Sequence, residues 1–429
     1  MRHAMTGPAA GGSGAPGAAG EPLRGVPEVE EFARRCFAPA PGDRVGAELE
    51  FLIFDRADPA RQVPIDRVKQ VVPALAGGSR VTYEPGGQIE LSGPAGPPAE
   101  AIGRLAADVA AVRAALGRAG LVLGGVGLDP LRPARRQLRQ PRYDAMAEFL
   151  GRPYGPLMMC STASVQVNVD LGERPAVRWE RARLLRPVLT AAFANSPLSR
   201  GRPCGWMSGR QAVWENLDPT RTAPVDGPGD GSVDGSGDPA AAWAAYLLDA
   251  RLMLVREDER RYRAVGDGST FRDWLDGAGE RPPTPDDLAY HATTLFPPVR
   301  PRGWLEIRYL DAQHPDDWPV CVAVTHALIT DDRAADAALS AAEPVAGLAE
   351  AAARCGLTDP RLARAAEAAF RAAVEALPRL GAPAGLVDGV SGFAARYVSA
   401  GRSPAADLME LMTDPVRRLP AWLSGEGRA

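Results

Sequence analysis

Lysine is almost missing from this chain of 429 residues: among 49 basic residues only Lys69 is lysine, and the rest are arginine. That limits chemistries built on a lysine amine to one candidate. A P-loop needs G-x-x-x-x-G-K-[ST], and Lys69 sits in Asp66-Arg67-Val68-Lys69-Gln70 with no glycine beside it. Schiff-base and Ser-x-x-Lys mechanisms have the same single candidate. The richness in Ala, Gly and Pro explains the arginine bias as genome composition, yet any phosphate bound here must meet arginine and metal. Histidine is as scarce: His3, His291, His314 and His326 lie in no motif, and no G-x-S-x-G supports a serine triad. The five cysteines (Cys36, Cys160, Cys204, Cys321, Cys355) form no C-x-x-C, which argues against a zinc site or a disulfide framework. A metal site must therefore be built mainly from carboxylates.

Long apolar runs are also lacking. None reaches about 18 residues, so no membrane span is expected. Residues 1–20 have no apolar core of the kind a secretory signal carries. The formal net charge is -4 and no basic stripe forms, which disfavours nucleic acid as a partner. With 45% hydrophobic and 24% charged residues, the composition is that of a globular protein in the cytoplasm.

Residues 1–26 read as a low-complexity, disordered tail, and 224–239, rich in Gly, Asp and Pro, as a flexible insertion. No linker divides the rest, so 27–425 reads as one catalytic domain with a helical C-terminal part, 315–425. The clearest helix is 98–120, with Ile102, Leu105, Val109, Val112 and Leu116 at three-to-four spacing. Others are expected near 64–76, 178–195, 239–256, 333–356 and 360–378.

Four strand-like segments carry the chemistry. Along 45–54, alternation sends Val45, Ala47, Leu49, Phe51 and Ile53 to one face and Glu48 and Glu50 to the other, with Cα atoms about 6.6 Å apart. Along 164–170 the valines oppose Ser164, Gln166, Asn168 and Asp170. Along 304–310, Glu306 and Arg308 oppose Leu305, Ile307 and Tyr309. Residues 83–91 form a turn entering a short strand, with Gln88 and Glu90 on one side. Any one of these reads most simply as a strand with a solvated face. Together they supply oxygen ligands with few cations, the donor set that suits Mg²⁺ or Mn²⁺, and this favours a metal-filled concave sheet face. A further stretch, 208–222, places Arg210, Trp214 and Arg221 in a segment without clear periodicity. It reads equally as a plain loop or as an arginine-bearing loop that grips carboxylate or phosphate through bidentate forks.

The strings Gly46-Ala47-Glu48-Leu49-Glu50-Phe51, Tyr83-Glu84-Pro85-Gly86-Gly87-Gln88-Ile89-Glu90, Thr162-Ala163-Ser164-Val165-Gln166-Val167-Asn168 and Leu305-Glu306-Ile307-Arg308-Tyr309-Leu310-Asp311 occur in this order. The series resembles glutamate–cysteine ligases of the plant and proteobacterial type, and most nearly the actinobacterial form that serves ergothioneine synthesis. The resemblance spans about 45 to 315.

It implies an α+β, glutamine-synthetase-like fold: a curved antiparallel sheet with a polar concave active-site face and helices on its outer face. It also implies that L-glutamate and L-cysteine are joined at the expense of ATP, in a monomer or homodimer. By that resemblance Glu48, Glu50, Glu84, Glu90 and Glu306 hold Mg²⁺ (or Mn²⁺), with Gln166 a further ligand. Gln166 stands where more distant bacterial relatives carry histidine. Arg308 acts on the transferred phosphoryl group as the catalytic residue, and Asn168, Arg210, Trp214 and Arg221 bind substrate or nucleotide. The alternatives are transfer of glutamate to another amine and, from a different class, a metal-dependent hydrolase using the same carboxylates.

Overall fold

The computed structural model describes residues 20–225, 238–258, 260–411, 419 and 421. Six strands form a continuous antiparallel path, and a seventh branches from it. They are β1 (Val45–Asp55), β2 (Arg80–Tyr83), β3 (Ile89–Ser92), β4 (Leu121–Gly124), β5 (Ser164–Val169), β6 (Val299–Pro301) and β7 (Leu305–Asp311). The order along the path is β6-β7-β5-β1-β3-β2. β1 is long enough to serve two neighbourhoods. Its first half pairs with β5 and β3, and its end, Leu52 to Asp55, pairs with β4.

Alternation along these strands builds the core. Leu49, Phe51, Leu91, Val165, Val167, Leu305 and Ile307 are buried in one large apolar cluster. The same cluster takes in Ile102, Leu105, Val109, Val112 and Leu116 of helix α1 (Pro98–Arg118), the helix whose spacing was clearest in the sequence. Each such side chain contributes about 1.5–3 kcal/mol of burial.

Several expected helices are shorter or divided, and prolines account for most of the differences. The helix expected over 64–76 covers Ile65–Lys69 alone, because Pro73 disfavours helical backbone before it. The stretch 178–195 splits at Leu185 into Pro175–Leu184 and Arg186–Ala192, with Pro187 opening the second helix. At Glu343-Pro344, 333–356 breaks into Asp332–Ala342 and Ala349–Cys355. The helix Pro239–Asp249 stops early because Leu254–Arg256 pairs with Tyr262–Ala264 in a hairpin. The helix expected over 360–378 runs from Pro360 to Ala376.

The disordered-tail expectation for 1–26 falls mostly on residues 1–19, which lie outside the described residues, as do 226–237 of the expected insertion. Its last part needs correction. Leu23 is buried, its backbone N–H donates to Pro283 O at 2.8 Å, and a helix starts at Val26.

At the end of β1, Asp55 accepts hydrogen bonds from Arg67 (2.8 Å), Arg61 (2.5 Å) and the N–H groups of Ala57 and Asp58. Burial works to raise its pKa, but the arginine and backbone donors outweigh it and hold the carboxyl at about 2. A depressed carboxylate pKa stabilises the fold above the ordinary carboxylate range and loses that contribution as pH falls through the folded value. Asp55→Asn is accordingly expected to lower Tm at pH 7, and the gap to wild type should close between about pH 4 and pH 2. Thermal melts of both proteins across that range check it.

Candidate active site

Register decides which polar side chains meet. Glu50 lies opposite Glu90, Glu48 opposite Gln166, and Glu306 opposite Asn168 on one side and Arg300 on the other. Directly opposed residues of antiparallel strands project to the same face. One face of the sheet therefore gathers Glu48, Glu50, Glu90, Gln166, Asn168, Glu306 and Arg300, back to back with the apolar core. In β7 a bulge between Ile307 and Leu310 breaks the ladder at Arg308 and Tyr309. Their carbonyls are taken instead by Arg210 Nη2 (2.7 Å) and Gln211 Nε2 (2.8 Å) of helix α4 (Gly209–Glu215). (Helices α2 and α3 are Pro141–Leu150 and Tyr154–Ser161.)

Above this face lies a cavity of about 240 Å³. Its lining includes Glu48, Glu50, Glu84, Glu90, Gln166, Trp214, Glu306 and Arg308 from the sequence-derived set, joined by Arg142, Arg300 and Arg302.

The cavity is divided by charge. At one end, Glu50, Glu84 and Glu90 bring carboxylate oxygens within 4.8 Å of one another. Glu50 accepts from Ser164 N (2.8 Å), Ser164 Oγ (3.0 Å) and Gln166 Nε2 (3.1 Å). Glu90 accepts from Thr82 Oγ1 (2.7 Å) and Ser92 Oγ (3.0 Å). Glu84 is presented by a tight turn in which Gly87, at φ +93°, donates to Glu84 O at 2.8 Å. Gly86 must lack a side chain, since a Cβ there would lie 2.2 Å from the Cys160 carbonyl oxygen.

Burial, then mutual repulsion, raises Glu84 to about 8 and Glu48 to about 7; burial also pushes Glu50 and Glu90 upward. Carboxylates forced together like this are short of positive charge. Three oxygen donors at this separation fit a hard divalent cation.

At the other end the balance reverses. Glu306 pairs with Arg300 at 2.5 and 3.1 Å, with Arg302 at 3.3 Å and with Arg308 at 3.3 Å. Burial opposes ionisation, but the three guanidinium groups hold Glu306 well below the usual carboxylate range. It stands apart from the three-carboxylate group and is already neutralised by arginine.

The sequence-derived residues therefore divide. Glu50, Glu84 and Glu90 come together closely enough to hold a metal ion, and Glu48 is repelled by both Glu306 and Glu90. Gln166 bridges, its Nε2 on Glu50 and its Oε1 accepting from Arg308 Nη1, so both ends of the amide are engaged. Asn168 is outside the cavity lining; its Nδ2 donates to Glu48 at 3.3 Å and its Oδ1 accepts from Trp304 Nε1 at 3.1 Å. Arg210 is buried outside the cavity lining, holding the Arg308 carbonyl and lying 4.0 Å from Asp311, with its charge favouring the ionised form of Glu50.

Arg221 is not brought to the cavity. Fully buried, it donates to Asp218 (3.1 Å), Thr294 O (2.8 Å) and Arg251 O (2.6 Å), and lies over the Phe149 ring. Arg221→Met is expected to cost about 3 kcal/mol or more of stability, because Asp218 would lose its buried partner. Substrate KM values in the folded fraction should stay unchanged; melting and steady-state kinetics check both. Sequence reasoning missed Arg142, Arg300 and Arg302. The last two were within reach, since Arg300 and Arg302 immediately precede the strand that carries Glu306.

A sheet face with carboxylates at one end and arginines at the other has the charge layout of an enzyme site for phosphate-bearing substrates. The chain belongs to glutamate–cysteine ligase family 2 (GCS2), whose sequence model matches residues 44–421. It is 45% identical over 383 residues to the glutamate–cysteine ligase EgtA of Mycolicibacterium smegmatis, covering 86% of this chain and 87% of that protein. To EgtA of Mycobacterium tuberculosis it is 43% identical over 404 residues, covering 89% of both chains. A solved structure with a similar fold is the glutamate–cysteine ligase of Francisella tularensis in complex with AMP, at TM-score 0.51, 13% identity and 90% coverage of each chain. Among the described residues no helix is long and apolar enough to cross a membrane.

Proposed function

We propose that this protein is an ATP-dependent glutamate–cysteine ligase that makes γ-glutamylcysteine for ergothioneine biosynthesis, working in the cytoplasm as one catalytic unit over residues 27–425. The charge division of the cavity carries the reading, joined to the extent of the family match. In this reading the polar sheet face is the concave floor of a glutamine-synthetase-like site.

A carboxylate is a poor electrophile at neutral pH. Attack of the glutamate γ-carboxylate oxygen on the γ-phosphorus of ATP releases ADP and leaves a γ-glutamyl phosphate. The cysteine amine then attacks the carbonyl carbon of that γ-carboxyl group; phosphate leaves and the amine loses a proton. Both steps build negative charge on phosphoryl oxygens, and catalysis is mostly positioning and charge neutralisation. Arg308 meets that charge at the basic end, aimed by Gln166 and Glu306. Arg300 and Arg302 keep Glu306 from withdrawing it. Glu50, Glu84 and Glu90 would hold Mg²⁺ or Mn²⁺, which supplies Lewis-acid neutralisation of the phosphates when bound.

ADP release is expected to require glutamate, an acceptor amine and Mg²⁺ or Mn²⁺ together, to be highest with cysteine, and to stop in excess chelator. A coupled ADP assay with each component omitted in turn tests it. Turnover without ATP would favour the hydrolase reading, and a better amine than cysteine would move the reading to another carboxylate–amine ligase.

A further inference from the structure

One wall of the cavity is neither carboxylate nor arginine-held acid. Met158 and Met159, from α3, and Met146, from α2, line it. They belong to a single apolar cluster packed with Trp214 and Phe296. Such a wall gives no hydrogen bond to a phosphate or to a charged side chain. On the same face of α2, one helical turn before Met146, Arg142 also lines the cavity. Its guanidinium lies 5.4 Å from the centre of the Tyr290 ring, which also sits under Arg256 at 5.2 Å. Among the described residues no carboxylate lies within ion-pair distance of Arg142, Glu84 across the cavity feels its charge, and its Nε is buried without a hydrogen-bond partner. The cavity thus holds an arginine prepared for an anion, one helical turn from a wall of methionines.

Resting on the ligase reading above, we infer that Arg142 and the wall of Met146, Met158 and Met159 form the acceptor subsite, Arg142 receiving the α-carboxylate of cysteine and the methionines its thiol. The spacing suits an amino acid lying along the helix, since positions four apart stand about 5–6 Å apart at Cβ. Polarisable thioethers pack well against a thiol. A serine hydroxyl against the same wall has no acceptor, so it gives up its hydrogen bonds to water. An apolar pocket rejects an added hydroxyl only about a hundredfold, which sets the size of selectivity expected from this device.

Steady-state kinetics on the full chain, with each of the three substrates varied in turn, tests the assignment on variants that keep the wild-type melting temperature. Arg142→Met is expected to raise KM for cysteine about tenfold or more while KM for glutamate and ATP stays within about twofold, and Arg142→Lys should recover part of the loss. Met158→Gln is expected to lower the cysteine-to-serine ratio of kcat/KM about tenfold, and Met158→Leu to leave it near wild type. A rise in KM for glutamate or ATP instead of cysteine would assign the subsite to that substrate and overturn the inference. So would unmoved cysteine KM and selectivity in an active enzyme. A wild-type protein that releases no ADP with glutamate and cysteine would overturn the ligase reading, and the subsite with it.

Discussion

Glu84→Gln is expected to lower kcat/KM by about a hundredfold or more at moderate Mg²⁺ and at the same time to raise the melting temperature of the metal-free protein. Both effects have one origin. Glu84 stands in a buried group with Glu50 and Glu90, and burial plus their repulsion holds its pKa at about 8. A raised carboxylate pKa means that the folded chain binds more protons than the unfolded one, so stability falls as pH rises from the ordinary carboxylate range through about 8. Glutamine removes that destabilising charge, and replaces one of three anionic donors for the cation with a weaker neutral amide oxygen. Because a metal ion must displace the proton on Glu84, and ionisation of nearby Glu48 at about 7 adds negative charge beside the site, apparent Mg²⁺ affinity in the wild type is expected to rise from about pH 6 to pH 8. The upper part of that rise should be missing in Glu84→Gln, and excess Mg²⁺ should restore some activity. Metal titrations at several pH values, beside melts in chelator, check the set. A variant as active as wild type would remove the carboxylate group from catalysis.

Arg308→Lys carries the second large effect, an expected loss of about tenfold or more in kcat, roughly 1.4 kcal/mol, with smaller changes in KM. Lysine keeps the charge and loses the planar fork. In the structure one arm of that fork is in use: Nη1 donates to Gln166, whose amide in turn holds Glu50, and the same Nη1 lies 3.3 Å from Glu306. The guanidinium also lies 5.8 Å from the centre of the Phe296 ring. A lysine amine has three donors but a single nitrogen, so from the position of Nη1 it cannot also reach a phosphoryl oxygen where the second arm of the guanidinium would. Were Arg308 only a partner for a solvated carboxylate, lysine would serve almost as well, since exposed ion pairs contribute about 0–1 kcal/mol. Full kinetics on a variant of unchanged melting temperature checks it, and near-wild-type kcat would take Arg308 out of the chemistry.

The polar sheet face could be read from alternation alone because its period is two and its apolar partners are valine, leucine and isoleucine. Glu48, Glu50, Glu90, Gln166 and Glu306 fall on one face in the sequence and in the structure for that reason. What alternation does not show is which neighbour each residue meets. Glu306 reads like the other glutamates until the β6–β7 register places Arg300 opposite it. Gln166 reads as a ligand until its two ends are found on Glu50 and Arg308. Arg221 and Arg210 read alike in one stretch of sequence, and only tertiary packing sends one into a separate buried ion pair and the other onto the Arg308 carbonyl of β7. The methionine wall was hidden differently, since methionine in a helix reads as core whether or not a cavity opens beside it. The shortened helices were legible: Pro73, Pro187 and Pro344 mark the breaks.

The central claim is that ATP activates the glutamate γ-carboxylate by phosphorylation, and isotope transfer tests it most directly. Glutamate labelled with ¹⁸O in its γ-carboxylate is supplied with ATP, Mg²⁺ and cysteine, and the phosphate released is examined by mass spectrometry. One labelled oxygen per phosphate, formed in step with γ-glutamylcysteine, is the predicted result, because the attacking carboxylate oxygen leaves with the phosphoryl group. Phosphate free of label, or labelled phosphate without the peptide product, would contradict the account.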